Sequence, residues 1–377
     1  MTSGEGTPAG ASRKIPDGRR LRAISRRLLA WFDRSAREMD WRETDDPYRI
    51  WVSEVMLQQT RVETVTPYYR RFLSAFPTVR ALAEASPDRV MKLWEGLGYY
   101  SRARNLHRAA QVVAREHGGR LPEDPEALAT LPGIGRSTAG AIAAIAFRKD
   151  VPILDANAKR VIARLFAVTG SLSRPSAERG LWTISRGLIL PKKGRETALA
   201  LMDLGATVCT PRRPACPACP LAQHCEGLRK MIQDTIPGRA AKKGLPHHEV
   251  VAGWISDGKG RVLVGRRPER GLLGGLWELP GGRRQSGETR EEALRRELRE
   301  GWGMAVVVGE LLSSLPHGFS HFRITLHAYR CGRTCGRPRT EREWRWVRPE
   351  GLSGLAFPRA YRKMIEAVSG RQEQGRS

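Results

Sequence analysis

Cysteine is scarce: six residues in 377, too few for the disulfide scaffold of a small secreted protein. No apolar run reaches the roughly 18 residues a membrane helix needs, which excludes a spanning helix of ordinary composition. The first twenty residues are Gly, Ser, Ala and charge, without the apolar centre of a secretory leader. Residues 1–18 therefore read as a disordered basic tail, and 369–377 as a second disordered tail. Internal repeats and long low-complexity segments are also missing. Acidic residues are outnumbered, with 39 Asp plus Glu against 65 Lys plus Arg and a net charge of +26. That excess points to a polyanionic partner, since every neutralised phosphate releases counterions. A membrane surface is the rival reading of a basic chain, and the lack of an apolar span weakens it.

What is present suits two domains, because the chain is long for a single core. Residues 19–225 read as successive helices: Leu21, Ile24, Leu28 and Trp31 form one apolar stripe, and Ile50, Trp51, Val55 and Met56 begin another. Prolines 47, 67, 77, 87 and 122 punctuate them. Residues 226–247 turn polar and basic and read as a linker. From 248 to 368 the pattern is mixed α/β, opening with two β-like runs about Asp257-Gly258 that signal a hairpin.

Cys209, Cys216, Cys219 and Cys225 follow C-x6-C-x2-C-x5-C. Four thiolates on one proline-rich loop make a closed S4 metal site, and spacing alone leaves zinc and iron–sulfur both open. Arg212 and Arg213 within the loop suit a phosphate contact. Leu131-Pro-Gly133-Ile-Gly135 precedes a small-residue helix (Ser137, Ala139, Gly140, Ala141). Its glycines allow close backbone approach, and the next helix start offers N–H groups to an anion. Asp155 is a lone acid opening another helix, fit both to cap it and to face a developing positive charge. Glu54 sits in an apolar helix, where desolvation raises a carboxyl pKa toward that of a general acid. Its alternative is a buried ion pair with Arg42 or Arg61.

Together these residues resemble the iron–sulfur branch of the helix-hairpin-helix DNA glycosylases. Trp51-Val-Ser-Glu-Val-Met-Leu-Gln-Gln-Thr60, Gly96-Leu-Gly-Tyr-Tyr-Ser-Arg-Ala-Arg-Asn-Leu-His107, Met202-Asp-Leu-Gly-Ala206 and Phe319-Ser-His321 resemble its MutY-type adenine glycosylases. The resemblance spans roughly residues 20–365. It implies two helical lobes with an Fe–S loop, followed by an α/β, Nudix-like (MutT-like) domain over 248–368. It also implies a 4Fe–4S cluster on the four cysteines and a monovalent cation held by the hairpin carbonyls. The partner it implies is duplex DNA carrying 8-oxoguanine:adenine mispairs, from which adenine is flipped out and excised. Carried over residue by residue, Glu54 is the acid that protonates adenine, Asp155 stabilises the sugar cation, and Asn157 is a polar partner. Trp41 and Arg42 line the adenine pocket, Gln59 and Tyr99 wedge into the duplex, and Leu131, Gly133, Gly135 and Ser137 contact DNA. Phe319, Ser320 and His321 read 8-oxoguanine. A cytoplasmic monomer, nucleoid-associated if bacterial, is the expected form.

Ser137 stands where bifunctional relatives carry a Schiff-base lysine, so a monofunctional enzyme is expected. Ala156 replaces a common glycine and predicts strain if that position needs positive φ. Gly282-x5-Glu288-x7-Arg296-Glu297-Leu298-x-Glu300-Gly301-x-Gly303-Met304 is nearly a Nudix box, with Gly301 in place of a glutamate that would hold magnesium. Its helix is expected over Glu291 to Glu300. Cys331 and Cys335 read as ordinary thiols. The competing readings are an endonuclease III-like or thymine-mismatch glycosylase, an inactive metal-stabilised DNA-binding protein, and a dual enzyme that also hydrolyses nucleotides.

Overall fold

The computed structural model describes residues 16–238, 244–335 and 337–374, without the side chains of 333–335 and 370–374. The expected tail over 1–15, the ends of 369–377, and the Cys335 side chain lie outside that description. In chain order come α1 (Gly18–Ser35), α2 (Pro47–Leu57), α3 (Val62–Ala75), α4 (Val79–Ala83), α5 (Pro87–Trp94), α6 (Ser101–Glu116) and α7 (Pro125–Thr130). Next are α8 (Arg136–Phe147), α9 (Ala156–Leu165), α10 (Pro175–Gly187), α11 (Gly194–Asp203) and α12 (Glu226–Arg229). The strands β1 (His247–Ile255), β2 (Val262–Arg266), β3 (Trp277–Glu278) and β4 (Gly281–Arg283) follow. The chain ends with α13 (Arg290–Trp302), β5 (Ala305–Gly318), β6 (Arg323–Cys335), β7 (Trp344–Val347) and α14 (Arg359–Gln374). No helix among the described residues is long and apolar enough to cross a membrane.

Local signals start many of these helices. Asp46, Ser86 and Asp124 cap α2, α5 and α7 just ahead of Pro47, Pro87 and Pro125, which sit where no helical N–H is needed. Pro67 departs from the expected punctuation and lies inside α3. The hydrogen bond it removes is offset by burial of Val65, Tyr69 and Phe72 on the inner face.

The chain divides into two compact units, Met1–Gln58 with Arg120–Ala241, and Gln59–Gly119 with Lys242–Ser377. The first is all helical around Ile24, Leu28, Ile50, Ile162 and Leu201. A Cβ on Gly140 in α8 would meet the Pro152 carbonyl at 2.5 Å, so the small-residue face of α8 does pack tightly. The segment after Glu226, expected as linker, instead belongs to this unit as far as 238. Its α12 packs on α9, and Ile236 is buried in the same core. One apolar side chain and the Ile236 carbonyl, which accepts from Arg164, outweigh the polar composition.

The second unit joins α3–α6, centred on the edge-to-face rings of Phe72, Phe76 and Trp94, to the C-terminal α/β domain. Helices 59–119 therefore group with the C-terminal domain rather than with the rest of 19–225. That domain has a four-stranded sheet, β4-β1-β6-β5, and a three-stranded sheet, β3-β2-β7. Alternate residues of β1 face opposite cores: Ala252 and Trp254 meet α14, while Val251 and Ile255 meet α13. The expected β1–β2 hairpin is a correction. A tight turn at Asp257 exists, with one bridge between Ser256 and Val262. The strands then diverge, β1 pairing with β6 and β4, and β2 with β7 and β3. Helix α13 forms one residue before and two beyond the expected range, fixed by a Thr289/Glu292 capping box. Helix α14 runs to Gln374, into the segment expected as tail.

Candidate active site

Three local features of the first unit meet near two carboxylates. Helix α2 carries Glu54 on a face between buried Trp51 and Val55. The side chain stays partly open to solvent although protein surrounds most of it. Burial, and then the charge of Asp155, push its pKa up to about 7, against the opposing pull of Arg42. Arg42 makes its ion pair elsewhere. Its two terminal nitrogens each reach a different oxygen of Asp203 at 2.7 Å, and Arg37 Nε adds a third bond at 2.6 Å. The fully buried Asp203 would be raised by desolvation, but the two guanidiniums outweigh that and hold it below the usual range. The alternative of a Glu54–Arg42 ion pair is thus not what forms. Trp41 is in the core, 5% exposed.

Asp155 caps α9 by accepting the Ala158 N–H at 2.7 Å. Burial raises its pKa, with the Ala158 and Asn157 amides and Arg160 acting against it. The cap expected from the sequence is present. Ser137, at the start of α8, accepts the Leu154 N–H at 3.1 Å and so pins the segment that delivers Asp155. Ala156 is not among the described residues with positive φ, so the strain expected there is absent. At the hairpin, Gly133 takes φ +79°, a conformation suited to glycine. Gly135 caps α8 without a side-chain partner, leaving the first amides of the helix for an anion.

Asn157 Oδ1 accepts from Arg160 at 2.8 Å, and the same guanidinium donates to the carbonyls of Gly205 at 2.6 Å and Cys209 at 2.7 Å. A Cβ on Gly205 would lie 2.6 Å from Asn157 Cβ. Gly205→Ala is therefore expected to push the start of α9 away, costing about 1–3 kcal/mol by overpacking. Turnover should fall further than stability, and parallel melting and single-turnover measurements check this.

One turn on, Arg164 donates to the Thr210 carbonyl at 2.6 Å, the Ile236 carbonyl at 2.8 Å and Cys209 Sγ at 3.4 Å. Cys209, Cys216, Cys219 and Cys225 line one cavity beside it. Burial pushes the Cys219 thiol up to about 11, and the other three thiols push it the same way. Four thiols that repel each other once ionised are a donor set that a cationic centre satisfies. Among the described residues, no three His, Cys, Asp or Glu side chains group as ligands of a single ion. The four thiols line one small cavity.

In the second unit, Gln59 (φ 59°) and Tyr99 (φ 48°) both take left-handed backbone, uncommon for such residues. Arg102 ties them together, donating to the Thr60 hydroxyl at 3.0 Å and the Gly98 carbonyl at 3.2 Å, with its guanidinium 5.3 Å from the Tyr99 ring. Sequence reasoning missed Arg102, whose place inside the Gly96–His107 motif was its only signal. Phe319-Ser320-His321 forms the tip of the β5–β6 hairpin. Phe319 stacks on Phe322 at 4.5 Å, while Ser320 and His321 are exposed and bonded to each other at 3.1 Å. Within the Nudix-like box, Arg296 holds both Glu288 and Glu297 at 2.8 Å. Cys331 is buried, which pushes its thiol up to about 12, in keeping with an ordinary thiol.

Residues 52–186 match the family described as the HhH-GPD superfamily base excision DNA repair protein, and residues 251–367 match the NUDIX domain. The chain is 35% identical over 377 residues to an adenine DNA glycosylase of Rattus norvegicus, covering 86% of this chain and 73% of the relative. It is 33% identical over 404 residues to an adenine DNA glycosylase of Homo sapiens, covering 92% and 74%. Among solved structures, a thermostable thymine-DNA glycosylase is 30% identical with a TM-score of 0.52, over 56% of this chain and 98% of that one.

Proposed function

Because this chain belongs to the adenine DNA glycosylases, base excision repair enzymes with a helix-hairpin-helix region and a NUDIX domain, we propose that it excises adenine paired with 8-oxoguanine, and with guanine, as a monofunctional enzyme acting as a monomer. The observation that carries this reading is the pairing of an acid whose pKa is about 7 with a second carboxylate at a helix start. Glu54 protonates adenine at N7, so that the C1′–N9 bond breaks with its electron pair going to the base. Asp155 faces the oxocarbenium-like sugar. Water then adds to C1′ and returns a proton to Glu54. Ser137 offers a hydroxyl already bonded to Leu154, and no amine for an imine.

The four cysteines would hold a 4Fe–4S cluster, which when bound supplies a structural brace for the basic loop. Arg160 and Arg164 fasten that loop to the helix capped by Asp155. Gln59 and Tyr99 wedge into the duplex, and the exposed Ser320 and His321 read the 8-oxoguanine edge.

The test uses duplexes carrying 8-oxoguanine:adenine, guanine:adenine, guanine:thymine and guanine:cytosine. Free adenine from the first two, with strand breaks mainly after hot alkali, is expected from protein containing iron and sulfide. Thymine release without adenine release, or breaks without alkali, would overturn the substrate or the monofunctional assignment.

A further inference from the structure

The wedge turn and the reading loop lie in one compact unit, and a single carboxylate joins their supports. Glu95 ends α5, four residues before Tyr99. Its backbone carbonyl accepts the Tyr68 hydroxyl at 3.0 Å. Its carboxylate accepts the Phe357 N–H at 3.0 Å and Arg362 Nε at 2.9 Å, and also binds Lys92. The Glu95 and Arg362 side chains are only 14% and 17% exposed, so this bridge is far drier than a surface pair. Phe357 lies two residues ahead of α14 and Arg362 sits in its first turn, and α14 packs on β5 and β6. Phe357 shares its core with Phe319 and Phe322 at the tip of that hairpin.

At the other end of α5, Asp88 accepts from Arg266 at 2.7 Å and from the buried indole of Trp277 at 3.1 Å. Helix α5 is thus clamped at both ends to the C-terminal domain. Neither carboxylate is among the site residues expected from the sequence, although Glu95 directly precedes the Gly96–His107 stretch.

We propose that Glu95 is a positioning residue for mispair discrimination, setting the Tyr99 turn and the Phe319-Ser320-His321 loop in register across the Phe357–Arg362 contact. The inference rests on the 8-oxoguanine reading and deepens it. A bridge of this kind alters what the loop can add to binding without touching adenine or sugar.

The experiment compares single-turnover excision from 8-oxoguanine:adenine and guanine:adenine duplexes. The proteins are the parent, Glu95→Gln, Ser320→Ala/His321→Ala, and the combination of all three substitutions. Glu95→Gln is expected to lower the rate ratio about tenfold and to add less than about twofold in the loop-substituted background, since residues acting through one path are non-additive. Arg362→Gln removes the same contact from the other side, together with the bonds to the Leu352 and Leu355 carbonyls, and should lower the ratio at least as far, which covers the case in which Glu95→Gln does not fold. A folded variant with the parental ratio, or a full tenfold loss on top of the loop substitution, overturns the proposal. A parent that does not discriminate, or a loop variant that keeps the ratio, removes the 8-oxoguanine reading and the proposal with it.

Discussion

Asp155→Asn is expected to reduce single-turnover adenine excision by about 10³-fold or more, the scale seen when a stabilising group is withdrawn from a developing charge, while the protein stays folded and keeps its grip on DNA. Asparagine caps helices as well as aspartate does, so the 2.7 Å bond from Ala158 N–H persists. What disappears is the negative charge. In the parent, burial disfavours that charge and the Ala158 and Asn157 amides act against the burial, so a cationic sugar gives the carboxylate the partner that burial denies it. Asp155→Ala separates the two roles. It should be equally inactive and also less stable by about 1 kcal/mol through loss of the cap. The check is adenine release beside a melting curve and a binding titration for each variant. An Asp155→Asn protein within tenfold of the parent would mean that the cap is the residue's whole purpose and that another group stabilises the sugar cation.

The fold class was legible in the sequence, whereas the long-range pairing that assembles it was not. Glu54, Asp155 and the four cysteines were legible because each contrasts with its local surroundings: an acid in an apolar helix, an acid at a helix start, thiols at close spacing. Structure brings Glu54 and Asp155 within electrostatic reach and gathers the thiols around one cavity. Partners distant in sequence were not legible. Arg42 reads as a pocket residue or a partner for Glu54, yet it is bound by Asp203, 161 positions away. The β1 and β2 runs look like a hairpin because pairing with β6, β4, β7 and β3 leaves no trace in local periodicity. The polar stretch after Glu226 hides Ile236, whose carbonyl accepts from Arg164, 72 residues away. The clamp on α5 was invisible for the same reason, since Asp88 and Glu95 look like solvated charges on a short helix.

Glu54→Gln is expected to be nearly inactive and, above neutral pH, more stable than the parent. Losing a positioned general acid costs roughly 10²–10⁴ in rate. The parent rate itself should fall about tenfold per pH unit above the acid's pKa of about 7, since only the protonated form can donate. The stability effect follows from the same raised pKa. The folded-state pKa lies above the ordinary value of 4.5, so the fold favours the neutral acid. Below about 4.5 the group is protonated whether the chain is folded or not, and it costs nothing. As pH rises toward 7 the unfolded chain releases the proton while the folded one retains it, and stability declines until both states are ionised. The cost at pH 8 is on the order of 2–3 kcal/mol, since each pH unit of that window removes about 1.4 kcal/mol and the partly exposed side chain is screened by solvent. Glutamine is isosteric and cannot ionise, so it removes that cost. The melting temperature of Glu54→Gln should therefore match the parent near pH 4.5 and pull ahead of it steadily toward pH 8. Parallel melting curves across that range would detect the divergence. A constant offset at every pH would show that the glutamine merely repacks the site, and it would remove the raised acid on which the excision chemistry depends.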